Sequence, residues 1–85
     1  MASDDLEARR AMITHEAVID TGRYLKALRH EAGLTQKELS ERAGMTQARI
    51  SIIENGNSAR GPSVDVIARI ADVCNKAFGL NLLAR

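Results

Sequence analysis

The sequence of 85 residues has very few aromatic residues, with one Phe, one Tyr and no Trp. Its core must therefore be built from aliphatic side chains. The single cysteine, Cys74, excludes an internal disulfide and is typical of a reducing compartment. A chain of this length accommodates one domain. Because so small a domain buries a modest fraction of its surface, association with a second copy would add stability.

The sequence also lacks the features of membrane proteins and of enzymes. No apolar run approaches the roughly 20 residues that span a bilayer, and residues 1–10 are too acidic for a signal peptide, so we expect a cytoplasmic protein. There is no paired acid and base set and no glycine-rich phosphate loop. His15 and His30 have no cluster of metal ligands near them. We expect no enzyme activity, no cofactor and no metal site.

An excess of charge of one sign is lacking overall, but the charges are unevenly distributed. The formal net charge is +1. Residues 1–20 contain two basic and five acidic residues, whereas residues 21–60 contain seven basic and four acidic ones. A positive segment of this kind favours contact with phosphate groups. Ordinary solvated surface charge is the alternative interpretation.

The segment 35–54 has the pattern of two short helices joined by a tight turn. Thr35 and Glu38 have the spacing of a capping box, Gly44 is suited to a left-handed turn, and Thr46 is a second N-cap candidate. Apolar residues fall on the inner faces of both helices, namely Leu39, Ala43, Ile50 and Ile53. The pattern predicts a helix-turn-helix, which binds DNA when its second helix enters the major groove.

The run LTQKELSERAGMTQARISIIENG resembles the helix-turn-helix of phage repressor/Cro-type (XRE) transcriptional regulators. The resemblance extends from about Ile19 to the end of the following helix. It departs at Ser40, where the family usually has alanine, and at Ile52, where a polar residue facing the groove is common. The resemblance implies a structural ion pair between Arg29 and Glu54 that fixes the angle between two helices.

The second helix of the helix-turn-helix, the recognition helix, is expected to present its side chains to DNA. Gln47 can make a bidentate contact to adenine, Arg49 can reach guanine or phosphate, and Ala48 and Ile52 can contact a thymine methyl group. Ser51 is expected to touch a base or the backbone. The resemblance implies that Gln36 and Asn55 contact phosphate groups. Weaker candidates for contacts to the DNA backbone are Lys37, Thr46 and Arg60. For each polar residue, a solvated side chain is the alternative.

The remaining segments flank this unit. Residues 1–13 have no clear period and are expected to be a tail, with a short helix started by Ser3 and the following acids as the alternative. A DNA-binding domain is expected over residues 14–77. It comprises a first helix from Thr14, or from nearer Asp20 because Gly22 disfavours a helix interior, and a last helix over about 64–77 with two apolar stripes. One monomer can hardly cover both stripes.

Residues 78–85 alternate between apolar and other residues, which predicts a strand pairing with its copy in a second subunit. A helical extension is the alternative. The expected dimer interface combines this segment with one stripe of the last helix, and consists of Val66, Ile70, Val73, Phe78, Leu80 and Leu82. This short, single-domain chain also resembles antitoxins of the Hip and Hig types, some of which have a C-terminal strand that closes a dimer.

The sequence thus predicts an all-α, compact domain of four to five helices with a short C-terminal strand. The function expected is that of a homodimeric, sequence-specific DNA-binding regulator that represses from an inverted-repeat operator. A toxin protein is a second expected partner if the chain is an antitoxin. The alternative of a different class is a protein-interaction adaptor that keeps the helix-turn-helix scaffold without binding DNA.

Overall fold

The computed structural model describes the backbone of residues 2–84 and the side chains of residues 14–80. The described chain forms α1 (Ala2–Glu31), α2 (Gln36–Ala43), α3 (Gln47–Glu54) and α4 (Val64–Ala84), and residues 2–84 contain no strand. The predicted all-α fold is therefore confirmed. None of these helices combines the length and the apolar character needed to cross a bilayer.

The first helix is longer than predicted. The backbone is helical from Ala2, so the expectation of an irregular tail over residues 1–13 is wrong for residues 2–13, and the start predicted at Thr14 or Asp20 is too late. Acidic residues at positions 4, 5 and 7 favour a helix N-terminus at this point. The helix ends at Glu31, shortly before Gly33, which adopts a φ of 72° and donates its N–H to the His30 carbonyl at 3.0 Å.

The core is aliphatic and draws on all four helices. It consists of Leu25, Ala32, Leu34, Leu39, Ala43, Ile50, Ile53, Ile70, Cys74 and Ala77, with Leu28, Met45, Val66, Ile67 and Val73 packed against it. The predicted inner faces of α2 and α3 supply four of these ten residues, Leu39, Ala43, Ile50 and Ile53. Burial raises the pKa of the Cys74 thiol, which fits a small buried hydrophobe and not a nucleophile.

Gly22 explains how α1 and α3 come so close. It is buried within α1, and a Cβ at this position would overlap the Ile53 carbonyl oxygen and lie 3.0 Å from the Glu54 carbonyl oxygen. The penalty of glycine in a helix is therefore accepted for a close approach of the α3 backbone. This explains why a glycine stands inside α1 at this position.

The predicted C-terminal strand is wrong. Residues 78–84 continue α4 without a break, which is the helical extension that was the alternative. A single strand would leave its backbone hydrogen-bonding groups unpaired within the chain, whereas a helix pairs them locally. The segment is also rich in leucine and alanine, which have high helix propensity.

The apolar stripes of α4 are distributed differently from the prediction. The sequence predicts Ile70 in the dimer interface, but this residue is 1% exposed in the core of its own chain and has no surface left for a partner. Val66 and Val73 are half-buried against the same core. Phe78 and Leu80 are exposed, at 44% and 64%. The side chain of Leu82 lies outside the described residues.

Candidate nucleic-acid interface

The first helix of the helix-turn-helix begins at a complete capping box. The Thr35 hydroxyl accepts the Glu38 N–H at 3.0 Å, and the Glu38 carboxylate accepts the Thr35 N–H at 3.1 Å. The hydrogen bonds from the Thr35 backbone and side chain hold the pKa of Glu38 below its usual value. The carboxylate is therefore charged at neutral pH and can keep this helix start in place.

The turn between α2 and α3 is closed by backbone conformation and by a second cap. Gly44 adopts a φ of 67°, and the next N–H, of Met45, bonds the Ser40 carbonyl at 2.9 Å. Thr46 then caps α3, its hydroxyl accepting the Arg49 N–H at 3.1 Å. The two helices are thus held in the predicted arrangement by local hydrogen bonds.

The inner side of α3 is fixed by apolar contacts and by one buried ion pair. Ile50 and Ile53 are each 1% exposed. The structure brings Arg29 and Glu54 together, with Nε 2.7 Å from Oε2 and Nη2 2.9 Å from Oε1. Arg29 also donates to the Leu34 carbonyl at 2.8 Å. This bidentate pair ties the end of α3 to α1 and to the connection before α2.

Gln36 joins the same network, which the sequence analysis missed. Its Nε2 donates to Glu54 Oε1 at 3.2 Å, so one carboxylate receives groups from α1 and α2. The two residues are 18 positions apart, and no local pattern links them. The contact sets the position of the Gln36 amide at the start of α2, beside the end of the recognition helix.

The outer face of α3 is open. Gln47, Ala48 and Arg49 are exposed in its first turn, and Ile52 is 43% exposed one turn later. With 3.6 residues per turn, Ala48 and Ile52 lie roughly 160° and 200° round the helix from the core residue Ile50. These two apolar side chains therefore form the outermost line of the helix.

The other candidate residues lie around this line. Lys37 and Thr46 are exposed at the starts of the two helices, and Ser51 is half-buried and accepts a hydrogen bond from the Asn55 amide at 3.3 Å. Arg60 is exposed in the connection between α3 and α4, where it lines a shallow groove beside Val18. Arg60 therefore lies next to α1, in contrast to the candidates on α2 and α3.

Ser40 has a plain structural role. Ser40, where the resembled family usually has alanine, is 4% exposed, and its hydroxyl donates to the Lys37 carbonyl at 2.7 Å. The hydroxyl is thus satisfied within α2 and needs no partner across the helix crossing. Within the described part of the chain, no three His, Cys, Asp or Glu residues come together in a way that could hold a metal ion.

Comparison with known families agrees with this geometry. Residues 20–76 match a family model described as a helix-turn-helix domain, which covers most of the chain and all of α2 and α3. No curated protein and no solved structure gives a significant match to this chain.

Proposed function

The chain belongs to the helix-turn-helix domain family, and from that premise we propose that it is a homodimeric, sequence-specific DNA-binding regulator that represses transcription from an inverted repeat. The observation that carries the proposal is the contrast between the two sides of α3. One side is fixed by Ile50, Ile53 and the Glu54 ion pair, while Gln47, Ala48 and Arg49 are exposed on the other. A fixed helix with a free outer face is suited to the major groove.

Charge supports DNA as the partner of this surface. Lys37, Arg49 and Arg60 are exposed on the segment that carries the positive excess. Each can neutralise a phosphate and release a counterion. The half-buried Gln36 has a second amide hydrogen beyond the one donated to Glu54, and this hydrogen can serve a phosphate oxygen. We propose that these groups set the position on the duplex and that the α3 face reads the bases.

Dimerisation is supported by the end of α4. Phe78 and Leu80 are exposed apolar side chains, and Leu80 lines a groove together with Arg42, Asp72 and Val73. A second copy would cover this surface and place two recognition helices on successive turns of the duplex. The resemblance to repressor/Cro-type regulators and to Hip- and Hig-type antitoxins supports the same arrangement. In an antitoxin, a toxin protein would be a further partner.

The test is selection of binding sites from random DNA duplexes, followed by footprinting and salt titration. We expect enrichment of an inverted repeat with half-site centres about one helical turn, ~34 Å, apart. We also expect affinity to fall at least ~10-fold between roughly 50 and 200 mM salt, because several phosphates are neutralised. Failure to enrich any sequence, with a flat salt response, would overturn the proposal and favour the adaptor. A single half-site at saturation would overturn the dimer.

A further inference from the structure

The outermost line of α3 is apolar at the place where a hydrogen-bonding side chain would be most useful for reading bases. Ala48 and Ile52 are one turn apart and project on the same side. The flanks carry Gln47 and Ser51 on one side and Arg49 on the other. The side chains of Ala48 and Ile52 can neither donate nor accept a hydrogen bond. They therefore cannot distinguish bases by the donors and acceptors on the base edges.

Ile52 has an apolar side chain that is exposed on the outer face of α3. Among the described side chains of α2 and α3, it is the one large hydrophobic residue that is exposed, at 43%. It takes no part in the core, because Ile50 and Ile53 fill the inner side of the same helix. Its apolar surface is therefore available to a ligand that docks on α3.

The major groove offers an apolar partner of one kind. Thymine presents its C5-methyl group there, and the other three ordinary bases present polar groups. A cytosine methylated at C5 carries the same group at the same position of the pyrimidine ring. We propose that Ile52, together with Ala48, recognises the C5-methyl group of a pyrimidine in the major groove. The inference rests on the proposed DNA-binding function and specifies what this part of the surface reads.

The test uses the selected operator and removes or adds one methyl group on a single base at a time. Each thymine is replaced in turn by deoxyuridine, which differs only by the missing methyl group. We expect affinity to fall ~4-fold at one or two positions in each half-site, the ratio that follows from burying one methyl group. Where the operator has cytosine, 5-methylcytosine is substituted instead. A ~4-fold gain there would identify the methylated base as the source of the contact, and the uracil arm identifies thymine.

Variants of the protein link the effect to α3. In Ile52→Ala the ratio between thymine and deoxyuridine should fall towards one at the affected position, while Ile52→Val should keep most of it. Val64→Ala is the matched control, because Val64 is 82% exposed at the start of α4, outside this face. Both Ile52 changes are at an exposed helical site, and thermal unfolding verifies that the variants are folded.

The outcomes separate the two proposals. If no sequence is bound, the DNA-binding function itself is overturned and this inference with it. If the operator is bound but every thymine and cytosine substitution changes affinity by less than ~1.5-fold, only the methyl recognition is overturned, since a buried methyl group is expected to count for more. If the effect is present but unchanged in Ile52→Ala, a different side chain makes the contact and the assignment to Ile52 is wrong.

Discussion

The helix-turn-helix unit and the last turns of α4 differ in how far contacts within the chain fix and cover them. In α2 and α3 both N-termini are capped by threonine, the connecting turn is closed by Gly44, and the inner residues are almost fully buried. At the end of α4, Phe78 and Leu80 are exposed, and Gly79 has open space around its Cα. One region is determined by its own contacts within the chain, and the other has apolar surface that a second molecule can still cover.

The largest expected effect tests the buried contacts of the helix-turn-helix. Arg29→Ala should lower the free energy of unfolding by ~3–5 kcal/mol, because the Glu54 carboxylate would stay buried without its partner. Arg69→Ala is the control on α4, since Arg69 pairs with Asp65 at an exposed site and its loss should cost less than ~1 kcal/mol. Urea unfolding measures both. Equal losses would remove the distinction between the two regions.

Two helical glycines provide a second test of the same difference. Gly22→Ala should destabilise the fold by up to ~3 kcal/mol, because the added methyl group would overlap the backbone of α3. Gly79→Ala should instead stabilise it by ~1 kcal/mol, since the site is open and alanine has the higher helix propensity. Thermal unfolding of the two variants should therefore shift in opposite directions. Stabilisation by both substitutions would show that α1 and α3 can separate at little cost, and destabilisation by both would show that the site at Gly79 is not open.

Within the helix-turn-helix, Gln47 and Gln36 should affect DNA binding in different ways. Gln47→Ala should lower discrimination at one base pair by ~1–3 kcal/mol and leave non-specific binding nearly unchanged. Gln36→Ala should weaken binding to all sequences by a similar factor, because a phosphate contact carries no base identity. Competition assays with single base-pair variants of the operator measure both. If the two substitutions change sequence preference alike, the division into reading and anchoring residues fails.

The smallest effect on folding is expected at the end of α4. Phe78→Ser combined with Leu80→Ser should change the free energy of unfolding of the monomer by only ~0.5 kcal/mol per site, because both side chains are exposed. The proposed dimer should nevertheless dissociate, which sedimentation equilibrium measures. Val64→Ser, at the exposed start of the same helix, should leave the dimer intact. A tight dimer in the double variant would move the subunit interface away from the end of α4.

The same contrast explains what could be predicted from the sequence. The ends of α2 and α3 were predictable because Thr35, Gly44 and Thr46 act on neighbours within a few residues. The start of α1 and the end of α4 were not, because residues 2–13 and 78–84 carry no comparable capping signal, and alternation over seven residues did not distinguish a strand from a helix.

Long-range contacts set a second limit on prediction. The hydrogen bond between Gln36 and Glu54, and the approach of α3 to Gly22, join residues far apart in the chain, so no local spacing could indicate them. Ile70 was assigned to a subunit interface for a related reason. Helical periodicity identifies an apolar stripe, but which neighbour covers that stripe depends on how α4 is placed against α1 and α2.

The separation of the two sides of α3 has a consequence for changing the protein. Because Gln47, Ala48 and Ile52 are exposed and the helix is fixed from its other side, these three positions can be exchanged at little cost in stability. Under the proposed DNA-binding function, new target sequences should therefore be accessible by a few point substitutions, without compensating changes in the core. The same property makes the chain a suitable scaffold for libraries in which only the outer face of one short helix is randomised.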